Sequence, residues 1–292
     1  RGDMLQIIFF SCMFAIAAAS LGKEGKQIVD LSKSIAHIMF KVTHYVMYIS
    51  PIGIFGAIAY TVGAFGIEML IPLLKLVFTL YAGLIVFLTI VLGIASALTK
   101  VNLFKLFFAL KEPTILAFTT AASEAALPIA MEKLKKMGIP NHIVSFVLPL
   151  GYTFNLDGST LYSALAVVFI AQVYGMPFPI DQQILMMITL MLSTKGIAGV
   201  PGGSLIVVAA TSAAFGLPVE GLALILGIDR VLDMGRTVCN LLGNCIAAAI
   251  VGRWEHEVSA ETLTRHIEHP LTDEEVAALE QKHLEAMANT HA

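Results

Sequence analysis

A stripe of polar side chains within an apolar helical segment constrains this chain more than any other feature. Nearly every other residue of Gly221–Val251 is Leu, Ile, Val, Ala, Gly or Cys. At about 100° per residue, six polar residues share an arc of about 100° on one helix face: Asp229, Asp233, Arg236, Thr237, Asn240 and Asn244. Charge inside a membrane usually marks a substrate or ion pathway, because burying it there costs roughly 3 kcal/mol. The alternative is an Asp–Arg pair that only holds helices together.

The composition identifies a membrane protein. Hydrophobic residues make up 57% and charged residues 13% of the chain, whereas soluble domains have about 25% charged residues. Lipid offers no partners for backbone groups, so the fold class we predict is all-α. The net charge of −3 and the absence of a basic run predict no nucleic-acid partner. The three cysteines, Cys12, Cys239 and Cys245, have neither metal-site nor disulfide spacing.

The first part of the chain contains three apolar segments, each long enough to cross a bilayer: Met4–Leu21, Gln27–Gly63 and Ile67–Leu98. Within the second segment, Pro51 predicts a break. Because the chain opens with Arg1 and lacks an initiator Met, we expect an N-terminal part to precede it.

Two later segments predict re-entrant hairpins, since small and polar residues interrupt each apolar run. The interruptions are residues 119–128 within Leu103–Met131 and residues 193–204 within Ile184–Phe215. A long interrupted segment follows each hairpin: Ile143–Val173, which is broken at residues 155–159, and Gly221–Val251. The predicted fold is an inverted repeat of two re-entrant hairpins, each followed by a broken transmembrane helix, as in many secondary transporters.

Lysine and arginine positions predict the orientation, because positive residues favour the cytoplasmic side. This rule gives the hairpins opposite entry faces and makes the last segment, 255–292, a cytoplasmic tail with one amphipathic helix near Asp273–Met287. We expect a multi-pass membrane protein.

The chemistry of the polar residues predicts a substrate that carries both charges. Arg236 can hold a carboxylate through two hydrogen bonds, and Asp233 can hold an ammonium. Broken helices supply amides for anions and carbonyls for cations. Oxygen ligands for a hard cation come from four side chains: Asn155, Asp157, Asn240 and Asn244. These features predict an acidic amino acid carried with coupled cations and without a cofactor.

Three separated motifs resemble the dicarboxylate/amino acid:cation symporters, which include the glutamate transporters. Residues 155–159 (Asn-Leu-Asp-Gly-Ser) are similar to the family signature Asn-Met-Asp-Gly-Thr. Residues 196–202 are similar to the tip of the second hairpin, and residues 229–243 to the last helix. Ser123-Glu124 and an Asn after Gly in the last helix resemble bacterial proton–glutamate/aspartate symporters most. The resemblance implies a homotrimer in a bacterial inner membrane. It also implies partial scaffold helices at 1–64 and a transport domain at 65–254, followed by the tail at 255–292.

The resemblance also implies roles for single residues. The substrate's α-carboxylate would be held by Ser123, Gly199 and Val200. Its amino group would be held by Asp233 with Thr237 and Asn240, and its side-chain carboxylate by Arg236 and Ser159. One sodium site would comprise Gly151, Asn155, Asn240 and Asn244. A second would comprise Thr153 with the carbonyls of Thr194, Lys195 and Ile197, and a third Asp157 with Asn155. Asn155, Asp157 and Asn240 are accordingly the candidate metal ligands.

Two departures from the family pattern bear on the coupling ion. Asn244 stands where sodium-coupled members have Asp, and Glu124 replaces a hydroxyl beside the substrate serine. Losing a fixed negative charge weakens sodium binding, while a carboxyl in a hairpin tip can carry a proton. We therefore expect proton coupling, with sodium coupling as the alternative. Glu124 could instead be a polar residue that faces water.

Two other functions compete with an amino acid symporter. The first is a carrier for C4-dicarboxylates such as succinate or malate, although Asp233 would then have no ammonium to bind. The second is an intramembrane aspartyl protease that uses Asp157 and Asp229. It would leave Arg236 and the Gly-Pro-rich second tip unexplained.

Overall fold

The computed structural model describes residues 4–196 and 203–290, and all regular secondary structure in this part of the chain is helical. Its helices α1 to α14 are, in order, Met4–Ser20, Lys26–Phe65, Leu70–Thr99, Leu103–Ala109, Lys111–Thr120, Ser123–Lys136, Asn141–Phe154, Asp157–Val173, Ile180–Ser193, Gly203–Ala214, Leu222–Leu226, Asp229–Trp254, Ala260–Glu268 and Asp273–Thr290. Short 3-10 turns occupy Ile67–Met69, Thr194–Gly196 and Val219–Gly221. The predicted all-α class is confirmed.

Three stretches of the described residues are long and apolar enough to cross a membrane: Ile67–Thr99, Asn141–Val173 and Asp229–Trp254. The first presents apolar side chains outward, as Phe78 and Ile85 are largely exposed. The other two are the most buried, which places them inside the bundle. This distribution fits a bundle in which α3 faces the lipid and the α7–α8 segment and α12 lie inside.

The predicted break at Pro51 is wrong. Helix α2 runs without interruption from Lys26 to Phe65 and includes Pro51. A proline removes one backbone hydrogen bond, and in an apolar helix neighbouring groups can accommodate that loss. The second half of α2 packs on the later part of the chain, where Ile58 lies against Gly227.

Helices α5 and α6 form an antiparallel hairpin. Lys133 Nζ lies 3.0 Å from Glu112 Oε2, so the two arms run side by side from their base. At the tip, Ala121 adopts a left-handed backbone with a φ of 50°, which ends α5. The Thr120 hydroxyl donates to the Leu116 carbonyl at 2.7 Å and accepts from the Ala122 amide at 3.3 Å. The tip is therefore a tight, hydrogen-bonded turn.

The two long segments that follow the hairpins are interrupted at different places. The first unwinds at Asn155 and Leu156, within the polar motif, so that α8 begins at Asp157. The second is interrupted at Gly227 and Ile228, just before the polar stripe begins. The stripe itself thus lies on one continuous helix, α12, and its side chains keep a regular helical spacing.

The bases of the two hairpins lie at opposite ends of the bundle. At one end, Arg253 of α12 donates from Nε to the Thr99 carbonyl at the end of α3, near the base of the first hairpin. At the other end, Phe178 before α9 and Phe215 after α10 meet edge to face at 6.0 Å between ring centroids. Two apolar core clusters occupy these ends. The polar residues of α12 lie between them.

The segment after α12 contains a helix that the sequence analysis did not predict. Helix α13 buries Leu263 and Ile267 in the apolar core beneath the first hairpin. Lys105 of α4 forms an ion pair with Glu268, and the Leu271 amide donates to the Lys136 carbonyl at 2.8 Å. The predicted amphipathic helix near Asp273–Met287 corresponds to α14.

Candidate functional site

All six residues of the polar stripe are buried against neighbouring helices. Asp229 is the most accessible of them at 8%, and Arg236 and Asn244 are 1% exposed. Helix α12 packs on α3, α5, α6, α7 and α8, so it lies at the centre of the bundle. Buried charged and amide groups at this position need partners on the surrounding helices. Their partners define the candidate site.

Arg236 lies between two carboxylates of its own helix. Its Nε donates to Asp233 Oδ1 at 2.7 Å, and its Nη2 donates to Asp229 Oδ1 at 3.1 Å. Spacings of three and seven residues put both carboxylates on the face of the guanidinium. Among the described residues, Arg236 Nη1 has no hydrogen-bond partner although it is buried. The guanidinium therefore retains a donor for a further acceptor.

Tyr162 of α8 covers this charged cluster. Its ring lies 4.0 Å from Arg236 Cζ, in cation–π contact, and its hydroxyl donates to Asp229 Oδ1 at 3.0 Å. Tyr162 was not among the predicted site residues. The available signal was its position three residues after Ser159, which puts both side chains on one face of α8. A single aromatic residue in an apolar helix is, however, ordinary core material.

Asn240 joins the stripe to the start of α8. Its Oδ1 accepts from the amides of Gly158 at 2.8 Å and Ser159 at 3.4 Å, and its Nδ2 donates to Ser159 Oγ at 3.1 Å. The first backbone N–H groups of a helix have no acceptor within that helix. Here the side-chain oxygen of Asn240 on α12 supplies an acceptor for them. Of the residues expected to bind substrate, Ser159 and Asn240 are thus in contact. Thr237, also expected there, is buried beside Arg236.

Three residues expected in the cation sites form a second polar cluster. Asn155 Nδ2 donates to Asp157 Oδ2 at 3.2 Å and to Asn244 Oδ1 at 3.4 Å. Glycines permit this approach, since a Cβ at Gly151 would lie 2.3 Å from Asn244 Oδ1 and one at Gly243 would lie 2.8 Å from Asp157 Oδ2. The cluster offers one carboxylate and two amides.

The first hairpin tip brings two candidate residues next to these elements. Ser123 begins α6 and is buried, and Glu124 follows it and is half-buried. Helix α6 packs on both α7 and α12. Thr153 of α7, expected in a second cation site, is exposed and donates to the Pro149 carbonyl at 3.2 Å.

The second hairpin tip is described only up to Gly196 and from Gly203. Thr194 is buried, donates to the Leu190 carbonyl at 2.7 Å and accepts from the Thr160 hydroxyl at 3.1 Å. Lys195 follows it and is exposed. Ile197, Gly199 and Val200, expected to bind a cation or the substrate, lie outside the described residues.

Helix α3 holds α12 in place beside the charged cluster. The Tyr81 hydroxyl donates to the Val231 carbonyl at 2.7 Å. Its ring fills the space above Gly235, where a Cβ would lie 2.9 Å from Tyr81 Cζ. This contact was not predictable, because nothing in the local sequence pattern links residues 150 positions apart.

Comparison with known proteins finds a matching family model and several similar proteins. A model of the sodium:dicarboxylate symporter family matches residues 1–254. A proton/sodium-glutamate symport protein of Geobacillus stearothermophilus is 49% identical over 91% of this chain and 63% of its own length. A proton/glutamate-aspartate symporter of Escherichia coli (strain K12) is 47% identical over 88% of this chain and 59% of its own length. A C4-dicarboxylate transport protein of Bacillus subtilis (strain 168) is 42% identical over 88% of this chain and 61% of its own length. The chain spans about three-fifths of the length of these relatives.

Proposed function

The chain belongs to the sodium:dicarboxylate symporter family, and we propose that it carries the substrate site of a secondary symporter for glutamate and aspartate. The activity is proton- and/or sodium-driven uptake across the membrane. No cofactor takes part, and the coupling ions supply the driving force.

The observation that carries this proposal is the position of Arg236 between Asp233 and Asp229, at 2.7 and 3.1 Å. An acidic amino acid can enter by exchanging partners with this internal ion pair. Its side-chain carboxylate binds Arg236, and its ammonium binds Asp233 in place of the guanidinium. Each buried charge then keeps an opposite charge, which avoids the several kcal/mol that a lone buried ion costs.

A C4-dicarboxylate carrier is the second candidate, because a protein named for that activity is 42% identical. Such a substrate has carboxylates for Arg236 but no ammonium for Asp233. Asp233 would then be left beside added negative charge in a buried site, which is unfavourable. The charge pattern of α12 therefore favours an amino acid. The protease alternative has no support from the relatives, which are named as transporters.

Two residues support protons as the coupling ion. Asn244 gives its cluster an amide where a carboxylate would hold sodium more tightly, and Glu124 places a carboxyl beside Ser123 at the hairpin tip. A carboxyl that is protonated on one side and released on the other couples substrate movement to a pH gradient. Sodium bound through the amide oxygens of Asn155 and Asn244 is the alternative.

The wider organisation is part of the proposal. Residues 65–254 form the transport unit, residues 1–64 belong to the scaffold, and residues 255–292 lie at the cytoplasmic side of a bacterial inner membrane. The full-length protein is a homotrimer. The basic ends of the helices, including Lys133, Lys136 and Arg253, support this orientation.

Uptake of labelled glutamate by the protein in proteoliposomes tests the function. A pH gradient and a sodium gradient are imposed separately, and exchange against internal unlabelled glutamate is measured without either. We expect exchange in all conditions and accumulation with the pH gradient. Exchange of succinate but not of glutamate would establish the dicarboxylate carrier instead. Cleavage of an added peptide without exchange would support a protease.

A further inference from the structure

The chain after α12 turns back and runs across the base of the first hairpin. His256 adopts a left-handed backbone with a φ of 58°, and the Glu257 amide donates to the Gly252 carbonyl at 3.1 Å. Arg253 Nη1 donates to the Val258 carbonyl at 2.7 Å, which ties the returning chain to the end of α12. Residues 255–280, which include α13 and the first part of α14, are called the strap below.

The strap has an apolar attachment to the end of α6. Leu263 and Ile267 of α13 belong to the same buried core cluster as Leu134, near the end of α6. Gly138, just after α6, has a φ of 83° and leaves room for the ring of His266, since a Cβ there would lie 2.7 Å from His266 Nδ1. Apolar burial does not depend on charge pairing. Helix α13 is therefore held on the bundle independently of the charged contacts around it.

A second set of contacts, made by charged side chains, joins the strap to the ends of α4 and α6. The Leu271 amide donates to the carbonyl of Lys136, the last residue of α6, at 2.8 Å. The Asp273 side chain is 86% exposed, and exposed ion pairs contribute little to stability and weaken with salt. Three ion pairs make up this set: Lys105–Glu268, Lys135–Glu280 and Lys136–Asp273. These pairs are weak enough to open while α13 stays attached.

The first hairpin covers the candidate site from the end where the strap lies. Its tip carries Ser123 and Glu124, and both of its arms pack on α12. Asp233 and Arg236 of α12 are 6% and 1% exposed. A substrate bound there can leave toward the hairpin's base only if the tip moves away from α12. Because both short arms end at the base, a restraint on the end of α6 limits this movement.

We propose that the strap restrains the first hairpin and thereby sets the rate at which substrate passes between the site and that end of the bundle. This inference rests on the proposed symport function, since it concerns the rate of that transport. When the ion pairs open, the end of α6 can shift and the tip can leave α12. When they close, the tip is held in place. Because α13 stays attached in both states, the pairs re-form without a search.

The variant Glu268→Lys/Asp273→Lys opens the strap by placing lysines opposite Lys105 and Lys136. Exchange of labelled glutamate is measured in proteoliposomes, together with hydrogen exchange of the backbone amides at residues 120–126. We expect both rates to rise at least about threefold. The glutamate concentration for half-maximal exchange should change less than about twofold, because no substrate contact is altered. The matched control is Glu261→Lys/Glu274→Lys, which changes the charge of the same two helices equally and should leave both rates at wild-type values.

The variant Lys136→Cys/Asp273→Cys closes the strap in a cysteine-free background. A bifunctional maleimide with a cleavable disulfide links the two cysteines. Linking should slow glutamate exchange at least about threefold, and cleavage of the linker should restore the rate. Slower glutamate exchange in Glu268→Lys/Asp273→Lys would overturn the proposal, since the strap would then be a brace that transport needs. Equal rates in the linked and cleaved protein would also overturn it.

Hydrogen exchange separates this inference from the proposed function, because it needs no substrate. If the wild type exchanges no glutamate while Glu268→Lys/Asp273→Lys speeds hydrogen exchange at the tip, the symport function alone is rejected. If the wild type exchanges glutamate and neither rate responds to opening the strap, the strap alone is rejected. A control variant that matches Glu268→Lys/Asp273→Lys in both rates would likewise reject the strap, because net charge would explain the effect.

Discussion

Gly158→Ala tests the close contact between α8 and α12 on which the site depends. An added Cβ would lie 2.5 Å from the Arg236 carbonyl oxygen and 2.9 Å from Arg236 Cα, both backbone atoms of a packed helix. Ordinary contact requires about 3.5 Å, so the two helices must separate by roughly 1 Å. That shift stretches the hydrogen bond from the Gly158 amide to Asn240 Oδ1, now 2.8 Å. Overpacking of about 1–3 kcal/mol and a lost hydrogen bond of about 1 kcal/mol should lower the unfolding free energy by roughly 2–4 kcal/mol.

The assay combines the thermal unfolding midpoint in detergent with glutamate binding by titration calorimetry. We expect the midpoint to fall by roughly 5 °C or more, and glutamate affinity to fall about tenfold because Ser159 and Asn240 move apart. Gly93→Ala is the matched control, since a Cβ there meets nothing within 4 Å and alanine suits a helix better than glycine. If both variants behave alike, close packing at Gly158 does not hold the site together.

Three further predictions concern charge. Asp233→Asn should weaken binding of glutamate far more than binding of succinate, measured by calorimetry, because only the amino acid needs a charge for its ammonium; equal losses would make Asp233 structural. Glu124→Gln should retain glutamate exchange but lose net uptake driven by a pH gradient, and full pH-driven uptake in this variant would exclude Glu124 as the proton carrier. Asn244→Asp should increase the sodium dependence of uptake. Burial and Arg265 lower the pKa of His266 in α13, and the weaker opposing effects of Glu275 and the Met137 backbone do not cancel this. The folded state therefore favours neutral His266. Docking of α13 should be complete above about pH 6.5 and should weaken as the pH falls through the lower pKa of the folded state. Hydrogen exchange of α13 measures this docking, and His266→Gln should make it insensitive to pH.

The polar stripe could be predicted from the sequence because helical periodicity alone fixes which side chains share a face. Asp229, Arg236 and Asn244 were expected on one arc, and all are buried on one unbroken helix. The interruption of the first broken helix was also predictable, since Asn155 and its neighbours are polar residues in an apolar run. Both signals are local, and no tertiary information is needed to find them.

Contacts between distant parts of the chain could not be predicted in the same way. Tyr162 functions through Arg236 and Asp229, which follow it by 74 and 67 positions along the chain, and its own neighbourhood is ordinary apolar helix. Asn240 was expected to bind substrate or a cation, but nothing in its sequence indicates that its side chain also joins the start of α8.

Helix α13 was missed for a different reason. Glutamate, arginine and histidine dominate residues 255–269, which suggested a solvated tail, but Leu263 and Ile267 lie four residues apart and are buried in the core. This spacing was a usable signal for an amphipathic helix. Pro51 shows the opposite error, since a residue that ends helices in water is accommodated within α2.

Binding of aspartate, succinate and serine to Arg236→Cys tests the central claim most directly. Arg236 is the buried cation between Asp233 and Asp229, so its removal should weaken aspartate binding about 100-fold or more, through loss of a charged two-point contact. Serine has no side-chain carboxylate and should still bind, with its ammonium at Asp233. Lys75→Cys, which removes an exposed lysine of α3 outside the stripe, is the matched control and should bind aspartate as the wild type does. If Arg236→Cys binds aspartate with wild-type affinity, this stripe is not the site for an acidic substrate.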